Sequence, residues 1–298
     1  MKSNLILTLI IFIGVLLSCE KLADWDVYES KEAALIDDYI KASKLSFLKT
    51  ESGLYYHSKK SGDGESPEIG DFVIYEYTYR FLDSTVIYST DRNIANSSLI
   101  DTSSFIYGPD KAQVGFLPTQ GEDEAITLMR ENGECVIIVP FKLGFRDIEQ
   151  EDIPPYSSLL IDLELLEVIH DPVAHEKALI QDYLVQNDGF VELMDGLYYS
   201  KLNEGNGVKI RENDEISLNI ERYLLDGRLL NSENSTIRFN PENVPIEGLF
   251  EGIKRMSEGE RGTLIIRSDL AYGDSTHLAI PPYSTLFIDI EILQNTGS

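Results

Sequence analysis

Residues 270–293 read LAYGDSTHLAIPPYSTLFIDIEIL, and the pattern changes at two adjacent prolines, Pro281 and Pro282. After them, apolar residues alternate with polar ones, which is typical of a strand with one buried face. A proline fixes its own φ and restricts the residue before it, so the pair predicts a rigid turn that leads into the strand. A shorter version, IPPYSSLLIDLELL, occupies residues 153–166. The chain therefore contains this turn and strand twice.

The duplication extends towards the N-terminal side of each copy. Residues 53–71 (GLYYHSKKSGDGESPEIGD) and 196–214 (GLYYSKLNEGNGVKIREND) align without a gap. Each follows a segment with apolar residues at helical spacing, 32–40 (EAALIDDYI) and 176–184 (EKALIQDYL). The two prolyl turns are separated by about sixteen fewer residues than the aligned segments 53–71 and 196–214 are. The first copy therefore carries an insertion of that length, and the polar stretch 89–104 is the natural place for it. A chain of 298 residues with this repeat predicts two domains.

Each copy is predicted to consist mostly of strands around one helix. In the second copy EISLNIERYLL alternates and runs into Asp226-Gly227, a strong hairpin signal. Residues 246–256 place apolar side chains at helical spacing, and residues 262–267 and 284–293 have the pattern of further strands. The expected fold class is α+β, with two domains, each an antiparallel half-wrapped sheet around one central helix and each preceded by a short helix. The expected boundaries are 1–18 for a signal peptide, 19–52 for a tether and leading helix, 53–170 for the first domain, 171–195 for a linker helix and 196–298 for the second domain.

The second copy resembles the FKBP-type peptidyl-prolyl cis-trans isomerases. Its motifs occur in the family's order: Asp226-Gly227, the helix pattern Ile246-x-Gly248-x-x-x-Gly252-Ile253-x-x-Met256-x-x-Gly259-Glu260-Arg261, then Ala271-Tyr272-Gly273, and finally Ile280-Pro281-Pro282 with Thr285-Leu286. The first copy has fewer matches: Tyr77-Thr78, Ala125-Ile126-x-x-Met129, Leu143-Gly144-Phe145 and Ile153-Pro154-Pro155. It is identified as a divergent member of the same family.

The resemblance implies an apolar cleft at one end of each sheet, where X-Pro peptide bonds are isomerised. In the second copy it implies catalytic roles for five side chains: Tyr272, Ile280, Leu249, Ile246 and Asn231. The expected substrate-binding residues beside them are Leu230, Ile237, His277 and Ile288. Leu249 stands where the family most often has a tryptophan, Asn231 where it has an aspartate and Ile220 where a tyrosine is usual, so weaker catalysis is expected. The alternative is that Ile-Pro-Pro only shapes the entry into the last strand.

The first copy keeps fewer of these features. Five of its side chains take substrate-binding positions: Tyr77, Ile87, Phe145, Ile153 and Ile161. Tyr88, however, replaces the family's aspartate, and either Glu122 or Asp123 falls at the floor of the cleft. A carboxylate at the bottom of an apolar cleft is unfavourable unless it is paired. We therefore expect the first domain to be weak or inactive as an isomerase and to have a structural role.

Prolyl isomerisation leaves few charged signatures in a sequence. Amide resonance imposes a barrier of about 18–20 kcal/mol, and a dry apolar cleft favours the twisted, less polar amide without an acid, base or nucleophile. The four histidines have no zinc-binding spacing, and no metal or cofactor is expected. The net charge of −26 argues against nucleic acid as a partner. The expected partner is a proline-containing polypeptide segment.

The N-terminal segment predicts export. Lys2, the apolar run 5–17 and Cys19 resemble a bacterial lipobox, in which lipid on Cys19 would anchor the chain to a membrane. The alternative is an ordinary secretory signal. The expected location is the cell envelope, at the outer membrane, facing the periplasm or the surface. The second functional hypothesis is a non-catalytic peptide-binding or assembly module tethered to that membrane. The oligomeric state is not predicted by the sequence.

Overall fold

A computed structural model of the chain describes residues 25, 27–91, 94, 110–150, 152–277 and 280–296. The predicted signal peptide and Cys19 lie outside these residues, as do residues 92–93 and 95–104 of the predicted insertion. Within the described ranges, no helix is both long enough and apolar enough to cross a membrane.

The first domain is a leading helix followed by a seven-stranded antiparallel sheet. Its elements are α1 (27–43), β1 (Leu48–Lys49), β2 (Tyr55–Ser61), β3 (Phe72–Arg80), β4 (Val86–Ser89), β5 (Asp110–Gln113), α2 (Gln120–Thr127), β6 (Gly133–Val139), a 3₁₀ turn (Phe141–Leu143) and β7 (Leu159–Ile169). The strand order is β1-β2-β6-β7-β3-β4, and β5 also pairs with β3.

The second domain repeats this arrangement with six antiparallel strands. Its elements are α3 (Pro172–Gln186), β8 (Val191–Met194), β9 (Leu197–Asn203), β10 (Glu215–Leu224), β11 (Leu229–Arg238), α4 (Glu247–Ile253), β12 (Arg261–Ile266), a 3₁₀ turn (Ser268–Leu270) and β13 (Leu286–Asn295). The strand order is β11-β10-β13-β12-β9-β8. The predicted α+β class and the repeated domain are therefore confirmed.

Two details differ from the sequence prediction. The central helix of the second domain is shorter than residues 246–256, because Ile246 is already its N-cap and Lys254 its C-cap. In the first domain, β4 and β5 both pair with β3, so two short strands stand where the second domain has the single strand β11. The inserted segment lies between these two short strands.

The central helix lies directly against the sheet because its inner face carries glycine. A Cβ on Gly248 would overlap Ile266, and a Cβ on Gly252 would overlap Leu264. Gly121 of α2 approaches its own sheet in the same way. The spacing Gly248-x-x-x-Gly252 therefore sets the distance between helix and sheet, and with it the depth of the space at the end of the helix.

Helix α3 belongs to the second domain and is not a free linker. Asp171 caps it by accepting hydrogen bonds from the N–H groups of Val173 and Ala174. Glu176, which is 3% exposed, accepts hydrogen bonds from the Ser268 N–H at 2.8 Å, the Ser268 hydroxyl at 2.6 Å and the Thr285 hydroxyl at 2.7 Å. One buried carboxylate thus joins the helix to the 3₁₀ turn and to the residues that follow the prolyl turn.

Helix α1 repeats this interaction in the first domain. Glu32 accepts a hydrogen bond from the Phe141 N–H at 2.7 Å and another from the Ser158 hydroxyl. Phe141 and Ser158 occupy the positions that Ser268 and Thr285 hold in the second domain. The leading helix is therefore a structural part of both repeats.

Replacing Glu176 by alanine should destabilise the second domain. Three donors would lose their buried acceptor, and we expect the free energy of unfolding to fall by about 3 kcal/mol. Urea unfolding would measure this loss. The matched control is Asp182→Ala on the exposed side of the same helix, for which a change within about 0.5 kcal/mol is expected. Equal effects of the two substitutions would contradict the structural role of Glu176.

Candidate functional site

The second domain contains a cavity of about 370 Å³ between strands β10 and β11, helix α4 and the segment 271–277. Its floor is formed by Ile246 and Leu249 at the start of α4, which are 6% and 3% exposed. Ile220 and Ile237 form apolar walls on the two strands. The geometry is that of a partly enclosed apolar pocket of the size that accepts a small ring or side chain.

One rim of the cavity is formed by Tyr272 and His277. Their rings stack at 4.3 Å between centroids and 10° between planes. His277 and Ile280 exchange backbone hydrogen bonds of 3.0 and 2.9 Å, which close the loop between them. The Tyr272 hydroxyl has no hydrogen-bond partner among the described residues, so it is available to a bound peptide.

The prolyl turn is fixed from two sides. Tyr283, which follows the prolines, has the left-handed φ of 51°, and its N–H donates to the Gly273 carbonyl at 2.9 Å. From the first domain, the Lys111 ammonium donates to the Tyr283 carbonyl at 2.8 Å, and the Phe72 ring meets the Tyr283 ring edge-on at 5.2 Å. Burial lowers the pKa of Lys111 to about 8. The first domain therefore contacts the prolyl turn, which is hydrogen-bonded to Gly273 beside the rim residue Tyr272.

The residues predicted for this site fall into three groups. Those that line the cavity are Ile237, Ile246, Leu249, Tyr272 and His277. Leu230, Ile280 and Ile288 belong to the adjoining apolar core, where Ile288 is fully buried. Asn231 is exposed on β11 and accepts a hydrogen bond from Arg222 at 3.3 Å.

Four polar residues of the cavity lining were missed by the sequence analysis: Arg222, Glu233, Ser235 and Asn243. Arg222 follows Leu218 and Ile220 at a spacing of two along β10, and that alternation is the signal that could have placed it on the same face. Arg222 and Glu233 form an ion pair of 3.2 Å. Hydrogen bonds from the side chains of Ser235 and Arg222 lower the pKa of Glu233.

In the first domain a carboxyl group occupies the floor. Gly121 and Gly248 hold the same place against their sheets, so the next residue along, Glu122, is the counterpart of Leu249. This decides between Glu122 and Asp123, because Asp123 instead accepts the N–H groups of Gly115 and Leu117. Glu122 is fully buried, and one of its oxygens accepts the Thr119 hydroxyl at 2.7 Å.

A row of tyrosines covers this floor along β3. The ring centroids of Tyr75 and Tyr77 are 5.5 Å apart, and those of Tyr77 and Tyr79 are 5.2 Å apart. Tyr79 pairs with Ile161, the third residue of β7, and Arg222 pairs with Ile288, the third residue of β13. Tyr79 is therefore the counterpart of Arg222. The Tyr79 hydroxyl and the Glu122 carboxyl are both buried and interact with each other.

The other predicted residues of the first domain lie in the same core. Ile87, Ile153 and Ile161 are at most 3% exposed, and Tyr77 and Phe145 pack against them half-buried. Burial raises the pKa of Glu122 to about 7, although the hydroxyl groups of Tyr79 and Thr119 favour the ionised form. The two domains therefore share a frame but differ at this position, which holds an apolar side chain in the second domain and a buried carboxyl group in the first.

No group of three or more histidine, cysteine, aspartate or glutamate side chains that could hold a metal ion occurs within the described residues.

Comparison with known proteins assigns the family. The sequence profile described as FKBP-type peptidyl-prolyl cis-trans isomerase matches residues 63–166 and 207–293, one match in each domain. These matches cover more than half of the chain, so the chain belongs to the FKBP-type peptidyl-prolyl cis-trans isomerase family, with two FKBP domains in tandem.

Individual relatives carry the same family name. FKBP-type peptidyl-prolyl cis-trans isomerase FkpA of Escherichia coli strain K12 is 33% identical over 102 residues, which cover 33% of this chain and 37% of FkpA. Peptidyl-prolyl cis-trans isomerase FKBP9 of Homo sapiens is 26% identical over 231 residues, which cover 76% of this chain and 35% of FKBP9. The chain thus spans about a third of the length of these curated relatives.

Solved structures were found at lower identity. The crystal structure of FkpA from Escherichia coli is 21% identical with a TM-score of 0.40, covering 54% of this chain and 70% of that chain. The crystal structure of the three FKBP domains of wheat FKBP73 is 21% identical with a TM-score of 0.34, covering 85% of this chain and 100% of that chain.

The buried carboxyl of Glu122 should make stability depend on pH. Below about pH 4.5 the group is protonated in both states; between pH 4.5 and 7 only the unfolded chain ionises, so the free energy of unfolding falls as the pH rises. We expect the stability of the wild type relative to Glu122→Gln to fall by about 3 kcal/mol between pH 4.5 and 8. Chemical unfolding at several pH values would measure this difference.

Glu149→Gln, which changes an exposed glutamate of the same domain, serves as the control and should follow the wild type across this range. Parallel curves for the wild type and Glu122→Gln would mean that Glu122 ionises normally.

Proposed function

We propose that this chain is a peptidyl-prolyl cis-trans isomerase and that its second domain carries the activity. Membership of the FKBP-type family supports the reaction. The observation that supports the choice of domain is the apolar cavity of about 370 Å³ with its leucine floor. The chain spans about a third of its curated relatives, so the proposal concerns the two domains present in this sequence.

The cavity can lower the rotation barrier without acid or base chemistry. A prolyl ring placed over Ile246 and Leu249 brings its amide next to the rim, away from bulk water. The twisted amide of the transition state has lost resonance and is less polar than the planar one, so an apolar surrounding favours it. The Tyr272 hydroxyl can donate to a substrate carbonyl and hold the chain while the bond turns. Ile280 supports this rim from the adjoining core, and Asn231 lies beyond it on β11.

We propose a structural role for the first domain. A proline ring placed in its cleft would have to displace the tyrosines of β3 and meet the carboxyl group of Glu122, which is unfavourable for an apolar ring. The contacts of Lys111 and Phe72 with Tyr283 support a role in holding the prolyl turn, which adjoins the cavity rim through its hydrogen bond to Gly273.

The location and partners follow from the N-terminal sequence and the charge. We propose that the chain is exported, carries lipid on Cys19 and acts in the cell envelope on proline-containing segments of exported polypeptides. The net charge of −26 supports a polypeptide partner and not nucleic acid.

Substitutions at the two floor positions, Leu249 and Glu122, test the assignment of catalysis to the second domain. Leu249→Glu places a carboxyl in the second-domain cavity, and we expect kcat/KM for a prolyl peptide to fall at least about tenfold. Glu122→Gln, the matched change in the first domain, should leave kcat/KM within about twofold of the wild type. The rate would be followed by a protease-coupled prolyl peptide assay, with unfolding curves to show that both variants fold. Loss of activity in Glu122→Gln alone would assign catalysis to the first domain.

A holding function without catalysis is the second candidate, and one observation favours it. Ile69 and Phe116 are 81% and 80% exposed, and they lie on neighbouring segments that are joined by the hydrogen bond from the Gly70 N–H to the Val114 carbonyl at 2.9 Å. Neighbouring exposed apolar side chains can bind unfolded segments. If this surface holds clients, suppression of client aggregation should persist in Leu249→Glu and weaken by about half or more in the double variant Ile69→Ser, Phe116→Ser. Aggregation followed by light scattering would measure this, and equal suppression by all variants would exclude the surface.

A further inference from the structure

Strand β10 directs three side chains into the second-domain cavity, Leu218, Ile220 and Arg222. The third is charged, and its side chain is only 17% exposed. Removing a guanidinium from water is unfavourable unless its N–H groups find acceptors. The positions of its acceptors therefore indicate what Arg222 can still bind.

Only some of the N–H donors of the Arg222 guanidinium have acceptors among the described residues. Arg222 Nη1 donates to Asn231 Oδ1 at 3.3 Å and to Glu233 Oε2 at 3.2 Å, both on β11. These two bonds use the two hydrogens of Nη1, and the described residues offer no acceptor to Nε or Nη2. The wall therefore keeps unused hydrogen-bonding capacity at a place where a ligand would lie.

A second arginine of this chain, Arg267, shows how carboxylates can accept hydrogen bonds from all the N–H-bearing nitrogens of a guanidinium. Arg267 binds Asp269 through Nε and Nη2, both at 2.7 Å, and binds Asp195 through Nη1 and Nη2 at 3.1 and 2.9 Å. One guanidinium thus holds two carboxylates at once, which its planar fork of donors allows. Arg222 holds one carboxylate and has the donors for another.

The charges around the cavity favour an anionic ligand over a cationic one. The carboxylate of Glu233 is 42% exposed and already paired with Arg222, so solvent screens its attraction for a further cation. The guanidinium of Arg222 is less exposed, and a charge near the apolar wall interacts more strongly than one in water. Tyr272 and His277, the other titratable residues of the lining, stack on each other at the opposite rim.

We propose that Arg222 is a specificity-determining residue, which makes the second-domain cavity select prolyl segments with a glutamate or aspartate next to the proline. This selection rests on the proposed isomerase function of the same cavity. The acidic side chain binds the Nε and Nη2 donors of Arg222 while the proline ring lies over Leu249. Glu233 keeps its bond to Nη1.

The test uses the full chain and prolyl peptides that differ in one residue. Glu, Gln or Lys is placed immediately before the proline in one series and immediately after it in another, and isomerisation is measured by NMR exchange spectroscopy, which needs no protease. In at least one series we expect kcat/KM for the Glu peptide to exceed that for the Gln peptide by about tenfold, with the Lys peptide slowest. Raising the salt concentration should reduce this ratio.

Two variants test which residue recognises the acidic side chain of the peptide. Arg222→Gln should bring the Glu-to-Gln ratio close to one. Arg238→Gln removes the same charge from an exposed position at the end of β11 and should retain the wild-type ratio. A Glu preference that survives in Arg222→Gln would overturn the assignment.

The remaining outcomes separate this proposal from the function on which it rests. Equal acceleration of all the peptides would refute the selection by Arg222 and leave the isomerase function standing. A preference for the Lys peptide would also refute the selection by Arg222, and it would indicate that Glu233 recognises the charged side chain of the peptide. Acceleration of none of the peptides would overturn both the selection and the function.

Discussion

Glu176 is buried on helix α3 and accepts hydrogen bonds from Ser268 and Thr285, two residues that lie on different segments of the second domain. Ser268 begins the turn that leads to Tyr272, and Thr285 follows the prolines that lead back from Ile280. A buried carboxylate with all its strong donors in place is favourable, whereas unpaired donors at this site would be costly. The separation of the two rim segments is therefore set by a residue of the leading helix, outside the sheet and its cleft.

Both copies use this frame, and they differ in what lies inside it. Glu32 makes the corresponding bonds to Phe141 and Ser158 in the first domain. Inside the frame, the two domains differ at a few positions. The second domain has Leu249 and Arg222 around an apolar cavity, whereas the first has a buried carboxyl group and a tyrosine at the corresponding positions. The covered domain then contacts the prolyl turn of the open one through Lys111, so the duplication supplies both a cleft and a support for the turn beside it.

Local patterns were sufficient to predict most of the fold. The prolyl turns, the Asp226-Gly227 hairpin and the helical spacing before each domain are each set by residues close in sequence, and the structure has all of them. The lining was harder to predict, because a wall residue is defined by pleat and register across strands. Arg222 followed an alternation that was visible in β10, but its partner Glu233 depends on the pairing with β11. The choice between Glu122 and Asp123 required the packing of α2 on its sheet. The buried role of Glu176 depended on partners about a hundred residues away, which no local pattern reports.

The central claim is that equivalent frames enclose an open cleft in the second domain and a covered one in the first. Titration of the isotope-labelled chain with a short neutral prolyl peptide, followed by backbone amide NMR, tests it most directly. The account predicts shifts at residues 246–249 and 271–277 and none at their counterparts, 119–122 and 144–150. Shifts of equal size at both sets, or shifts confined to the first domain, would contradict it.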